Sequence, residues 1–218
     1  MEIGMNIRQV ALLAALASVA AGCANEPRSR DTSNENVSGE TLAQQVCSNC
    51  HGVTGNSNSP NFPNLAAQPE AYLVGQLTGF KGHSRRDPAG YEYMWGLSHH
   101  LTDKQIKELA VYFSAQTLLP QRIEGKSERN QRGETIFTVG IADKAVPPCS
   151  SCHGAQGQGN AAFPRIAGQH ADYLVKQMTV FQRTDQRPEG NVMKVVAHGL
   201  TQENMLDVAD YLQSMPGK

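Results

Sequence analysis

The stretch Cys47-Ser48-Asn49-Cys50-His51 decides how this chain is read, because it returns as Cys149-Ser150-Ser151-Cys152-His153. Two cysteines three positions apart, followed at once by a histidine, have the spacing of c-type haem attachment. Two thiols must reach the two vinyl groups of one porphyrin, and an imidazole must reach its iron. Residues i, i+3 and i+4 share one face of a helical turn, which meets that demand. A single copy could instead serve zinc or a thioredoxin-like redox pair. Two copies in one internally repeated chain favour two covalently attached c-type haems. The remaining cysteine, Cys23, ends an apolar N-terminal run, so no thiol is left for a structural disulfide.

Composition agrees. The 218 residues carry 19 Lys+Arg and 20 Asp+Glu, a net charge of −1. Sequence-independent nucleic-acid binding needs a basic excess, so no nucleic-acid partner is expected. Aromatic residues make up 6%, against 20 Gly and 11 Pro. A core built from side chains alone would be thin, and a haem in each half would complete it.

The N-terminus reads as an address. Arg8 precedes an apolar run from Val10 to Ala21, broken only by Ser18 and too short to span a bilayer. The run ends in Ala20-Ala21-Gly22-Cys23, which is similar to a bacterial lipoprotein cleavage box. Residues 1–22 are then a signal peptide and Cys23 the lipidated first residue of the mature chain. The alternative is an ordinary secretory peptide cut near Ala-Gly, giving a soluble periplasmic protein. More than one acyl chain would anchor the protein firmly to a membrane. Ala24 is not the Asp of an inner-membrane retention signal, which leans the expectation towards the outer membrane. Residues 23–38 form the lipidated end and a polar tether, whose residues 24–38 would span about 20 Å.

Beyond the tether the chain repeats itself. Phe62-Pro63-Asn64-Leu65-Ala66-Ala67-Gln68 matches Phe163-Pro164-Arg165-Ile166-Ala167-Gly168-Gln169. Tyr72, Leu73, Val74, Gln76 and Phe80 match Tyr173, Leu174, Val175, Gln177 and Phe181. Blocks this long and this far apart are domains rather than solenoid units. The expected boundaries are 39–120 for the first, 121–132 for a polar linker and 133–218 for the second. Ile106, Leu109, Ala110 and Phe113 follow helical spacing, as do Met205, Val208, Ala209 and Leu212. Thr102 with Gln105 predicts a capping box, and Thr201 an N-cap without one. A middle helix is expected from Tyr72 to Phe80 and from Tyr173 to Phe181. Shorter helices are expected at Glu40–Val46 and Glu134–Val139, with Gly, Pro and Asn loops between. No alternating strand pattern stands out, so the fold class is all-α.

A haem iron held by His51 or His153 needs a sixth ligand. Met94 is the one methionine between His51 and Pro120, and Met193 is its repeat counterpart. Met178 and Met205 lie on apolar helical faces and read as core. His99 and His198 also align and compete for the iron; bis-His ligation would lower the potential, whereas Met/His raises it. His83, His100 and His170 have no aligned histidine and read as surface residues. Trp95 is a candidate to pack on the haem rim in the first half alone, since Lys194 stands in its place in the second.

Together the motifs and the repeat resemble class I cytochromes c, arranged in tandem as in the di-haem cytochrome c4 family. The resemblance covers roughly Ser38 to Pro216, and the Gly133-Glu134-Thr135-Ile136-Phe137 run and Pro147-Pro148 are similar to that family's second domain. The lipoprotein start departs from it. The resemblance implies that Pro63 and Pro164 offer carbonyls to His51 and His153, and that Leu65 and Ile166 pack on the haems. It also implies Met94 and Met193 as the distal ligands. By the same resemblance the protein carries electrons in the periplasm, from a quinol-oxidising cytochrome bc-type complex or a dehydrogenase towards a terminal haem-copper oxidase. Two six-coordinate haems leave no place for a substrate on iron, so an electron-transfer protein is expected rather than an enzyme. A haem subunit permanently docked to a dehydrogenase or oxidase, or a di-haem peroxidase, are the alternatives. A pseudo-two-fold arrangement of the halves would suit electron exchange between them.

Overall fold

The computed structural model describes residues 29–120 and 127–216. The segment 1–22 expected to be a signal peptide, Cys23 and residues 121–126 of the expected linker lie outside the described residues.

Two helical halves follow one plan. In the first, α1 (Gly39–Leu42) continues through a π-helical turn (Ala43–Cys47) into α2 (Ser48–His51). Then come α3 (Glu70–Lys81), a second π-helical turn (Gly90–Met94) running into α4 (Trp95–Ser98), and α5 (Asp103–Ser114). The second half has α6 (Glu128–Thr138), α7 (Ser150–His153), α8 (Ala171–Arg183), α9 (Asn191–His198) and α10 (Gln202–Ser214). Among the described residues no strand forms; Ile141–Val146 and Asn160–Phe163 are isolated bridges.

The last helix of each half organises its core. Ile106, Leu109, Ala110 and Phe113 are buried on α5, and Met205, Val208, Ala209 and Leu212 on α10, as helical spacing requires. Thr102 and Gln105 close the expected capping box on α5. The box on α10 is a correction to the sequence reading. The side-chain oxygen Oδ1 of Asn204 accepts from Thr201 N at 3.1 Å, doing with a shorter side chain what Gln105 does on α5.

Each half crosses its first helix over its last at a glycine. A Cβ on Gly39 would sit 2.8 Å from Leu109 N, and one on Gly133 2.7 Å from Tyr211 Cβ. Only glycine lets the backbones come this close.

Two polar segments are more ordered than their composition suggests. Residues 128–132, assigned to the linker on polarity, form the start of α6 behind the N-cap Ser127. Their charges are paired: Arg132 makes a two-pronged ion pair with the buried Asp207, at 2.7 and 2.9 Å. At the end of the tether, Gln105 Nε2 donates to Asn34 O at 3.0 Å and to Val37 O at 2.9 Å, and Val37 is buried.

The halves meet through reciprocal contacts. Gln68 Nε2 donates to Arg165 O at 2.8 Å, and Arg165 N donates to Gln68 Oε1 at 3.0 Å. Gln169 Nε2 donates to Asn64 O at 3.0 Å, and Asn64 N donates to Gln169 Oε1 at 2.8 Å. Gln68 and Gln169 are repeat equivalents, as are Asn64 and Arg165. A contact that returns with its partners exchanged is the mark of two-fold symmetry, so the halves are related by a pseudo-two-fold axis. His170 also belongs to this interface. It is buried, not a surface residue as its sequence suggested, and its Nε2 lies 3.1 Å from Ser57 O in the other half.

Candidate functional site

Among the described residues, each half supplies most of the lining of a cavity at its attachment motif. The first, about 410 Å³, is lined by Cys47, Cys50, His51, Pro63, Leu65 and Met94 among others. The second, about 340 Å³, is lined by Cys149, Cys152, His153, Pro164, Ile166 and Met193 among others. Both volumes fall in the range of cofactor pockets, roughly 300–1,000 Å³. The cysteines, histidines, prolines, apolar partners and methionines expected at the haems therefore each line the cavity of their own half.

Local structure aims the side chains. The single helical turns α2 and α7 put both cysteines and the histidine of each motif towards one cavity. His51 Nδ1 lies 2.9 Å from Pro63 O, and His153 Nδ1 lies 2.9 Å from Pro164 O. A carbonyl can only accept, so Nδ1 carries the proton in both rings and Nε2 keeps its lone pair. Burial holds both imidazoles below their ordinary pKa, against the opposing pull of the prolyl carbonyls. A neutral, oriented imidazole with a free Nε2 is what a metal ligand requires.

The cysteines do not resemble a zinc site. Burial pushes the Cys47 thiol up to about 12 and the Cys149 thiol up to about 11. Zinc binds thiolates, usually in sets of four ligands. Among the described residues no cluster of three or more His, Cys, Asp or Glu could hold a metal ion. A pair of thiols and one imidazole facing a largely apolar cavity instead fits a haem attached through both cysteines.

The methionines and the competing histidines are placed differently. Met94 and Met193 line the cavities, whereas His99 and His198 are exposed and line neither. Both methionines sit on helical segments rather than in the loops expected there. Met94 closes a π-helical turn whose carbonyl accepts from Ser98 Oγ at 2.6 Å, and Met193 lies on α9. The second cavity is also lined by Met178, a core residue of α8. Its repeat equivalent is Leu77, which lines the first cavity. Trp95 does not line the first cavity. It stacks on His83 at 4.3 Å and donates to Arg85 O at 2.8 Å, which draws the indole towards the domain boundary.

The cavities share a wall, since Pro63, Tyr173 and Gln177 line both. Beside it lies a polar network that sequence reasoning missed. Arg85 stacks over Phe80 at 4.4 Å and Arg187 over Phe181 at 4.6 Å. Arg85 Nη1 donates to Gln76 Oε1 at 2.6 Å, and Arg187 donates to Gln177 Oε1 at 2.7 Å and to Gln76 Oε1 at 2.8 Å. Asp87 takes two hydrogen bonds from Arg85, at 2.9 and 3.2 Å. Burial alone would raise the Asp87 carboxyl, but Arg85, with Arg187 behind it, holds it below its ordinary value. Gln76 and Gln177 were visible as a repeated pair. A polar residue recurring on an otherwise apolar helix face was the signal that could have marked them.

The cytochrome c family model matches residues 37–116 and 131–216. Cytochrome c-552 of Acidithiobacillus ferridurans is 36% identical over 205 residues, covering 94% of this chain and 84% of its own. Cytochrome c4 of Stutzerimonas stutzeri is 36% identical over 179 residues, covering 78% of this chain and 84% of its own. A protein of Thiomonas intermedia described as a thiosulfate dehydrogenase electron acceptor is 30% identical over 176 residues, with 78% of each chain covered. Among solved structures, cytochrome c4 of Acidithiobacillus ferrooxidans superposes with a TM-score of 0.72 at 39% identity, over 78% of this chain and 98% of that one. Twin cavities with twin attachment motifs and whole-length similarity to these carriers lead to one conclusion: the chain belongs to the cytochrome c family, as a di-haem electron carrier of the cytochrome c4 kind.

Proposed function

We propose that this carrier works on the periplasmic side of a bacterial membrane, held there by lipid on Cys23, with His51 and Met94 as axial ligands of one iron and His153 and Met193 as those of the other. It takes electrons from a quinol-oxidising cytochrome bc-type complex or a dehydrogenase and passes them towards a terminal haem-copper oxidase. When bound, each haem supplies a one-electron couple. The protein's own residues do the rest. The four cysteines tether the cofactors, and the Pro63 and Pro164 carbonyls fix the imidazoles. Leu65 and Ile166 add apolar surface that keeps water away, and the methionines favour a high potential over the low one that bis-His would set.

The observation that carries this reading is the shared lining. In each half the cysteine pair, the carbonyl-held histidine and the repeat-matched methionine face one cavity. The aligned histidines lie exposed outside it. Matching Met193 with Met94 across the repeat favours it over Met178. A dehydrogenase as donor is supported by the relative described as a thiosulfate dehydrogenase electron acceptor. Nearly equal charge in the halves, 5 Lys+Arg and 6 Asp+Glu in 38–120 against 7 and 8 in 133–218, suits loose docking to more than one partner.

Optical spectra of the purified holoprotein test the ligands. A Met–iron charge-transfer band accounting for two haems, with no carbon monoxide binding, is expected. Carbon monoxide binding at one haem would overturn the carrier reading and point to chemistry at that iron. For the anchor, Cys23→Ala should move the protein from the membrane fraction to the soluble periplasm. Retention on the membrane would rule out lipid at this position.

A further inference from the structure

In each half the residue after the cavity-lining methionine reaches back to the loop that follows the preceding long helix, α3 or α8. In the first half that residue is Trp95. Its ring stacks on His83, with centroids 4.3 Å apart and planes 20° from parallel. Its Nε1 donates to Arg85 O at 2.8 Å. Gly90, at the start of the same π-helical turn, makes room for the indole: a Cβ there would sit 2.6 Å from Arg85 O and 2.8 Å from Trp95 Nε1. His83 meets the ring from a backbone at φ 58°, a left-handed conformation that few side chains adopt. In the second half the same position holds Lys194, which pairs with Asp185. His83 and Asp185 are equivalent, each standing two residues before its boundary arginine, Arg85 or Arg187. One bridge is thus made twice, by an aromatic stack and by an ion pair.

The bridges differ in strength. Lys194 and Asp185 are 38% and 83% exposed, and an ion pair so open to water and salt contributes little. The indole is half-buried and held on two sides. Successive helical residues point about 100° apart, so fixing Trp95 against the loop fixes the direction in which Met94 leaves the turn. We propose that Trp95 is a positioning residue for Met94: pinned by His83 and the Arg85 carbonyl, it keeps the methionine side chain turned into the first cavity. No bond is made or broken and no electron moves; the bridge only presents the methionine sulfur. The proposal rests on the reading of Met94 as an axial ligand.

The test uses the ferric holoprotein, with imidazole added as a ligand that competes with methionine. The unmutated protein is measured first. A Met–iron band short of two haems there would sink the ligand reading, and the proposal with it, before any variant is made. In Trp95→Ala the band should fall towards one haem's worth. One haem should then bind imidazole on the order of tenfold more tightly, the scale of a lost net hydrogen bond and ring contact. Met94→His puts a second protein imidazole in the first half, so the gain should be absent when Trp95→Ala is added to it. Trp95→Phe, which keeps a ring against His83 and loses the N–H, should give a smaller gain. A lower melting temperature with the band and the imidazole affinity unchanged would mean a purely structural role and overturn the proposal. So would a gain shared equally by both haems, or one that survives in the Met94→His background. If Trp95→Ala does not mature, Trp95→Phe decides by the same readings.

Discussion

In the first half, α1 runs through a π-helical turn directly into the Cys47–His51 motif. In the second, α6 stops at Thr138 and residues 139–149 intervene before α7. The methionine segments differ likewise, a π-helical turn against the regular helix α9. Yet both motifs end in the same four-residue helix, and both histidines meet a prolyl carbonyl at 2.9 Å. The attachment site thus depends on one turn of helix and one facing carbonyl, while the approach to it is free to vary.

The comparison can be broken at the glycine crossings, where the largest effect is expected. Gly133→Ala should destabilise the holoprotein by about 3 kcal/mol, the upper end for overpacking, because the added carbon meets the backbone of α10 midway along a helix. Gly39→Ala, at the first residue of α1, can shift and should cost about 1 kcal/mol. Thermal unfolding followed by circular dichroism checks both, and equal losses would mean that the crossings are alike.

The reciprocal glutamines should come next. Gln68→Ala and Gln169→Ala each leave buried backbone groups of the other half unpaired, at about 2 kcal/mol. Gln169 should cost more, since its Oε1 also accepts from His170 N at 3.1 Å. Denaturant unfolding of the two variants ranks them.

Ala67 and Gly168 are repeat equivalents with φ of 56° and 70°. Ala67→Gly should stabilise the first half by about 1 kcal/mol, because the left-handed region penalises a Cβ. A loss of stability would show instead that the methyl group packs usefully at the boundary.

The last difference is one of pH: the Asp87 carboxyl contributes its full stability at neutral pH, and that contribution changes only in acid. Its folded pKa lies below the unfolded value of about 3.9, so its contribution is complete above that value. It is lost as pH falls through the lower, folded value. Acid titration should therefore loosen the domain boundary only below about pH 4, and in Asp87→Asn this step should vanish. Hydrogen exchange at Gln177 and Arg187 reports it.

Much of this was legible in the chain. The helices over Tyr72–Phe80 and Tyr173–Phe181, and those after Thr102 and Thr201, follow from apolar spacing and caps. Other features were not. Residues 128–132 looked like linker because Arg129 and Arg132 are charged, and their partners Asp207 and Asp210 lie far along the chain. His170 looked exposed because nothing near it in sequence announces that Ser57 will cover it.

By itself the sequence determined the two attachment motifs, the repeat that pairs Met94 with Met193, and the all-helical halves. Each depends on spacing within a few turns of chain or on likeness between two copies of it. Only the tertiary structure decided which polar residues are buried between the halves. Arg85, Asp87, Gln76, Gln177 and Arg187 come from separate helices and loops, and their burial exists only once the pseudo-two-fold contact has formed. Whether a charge is paired and dry depends on the surface that meets it, and no local pattern of residues encodes that surface.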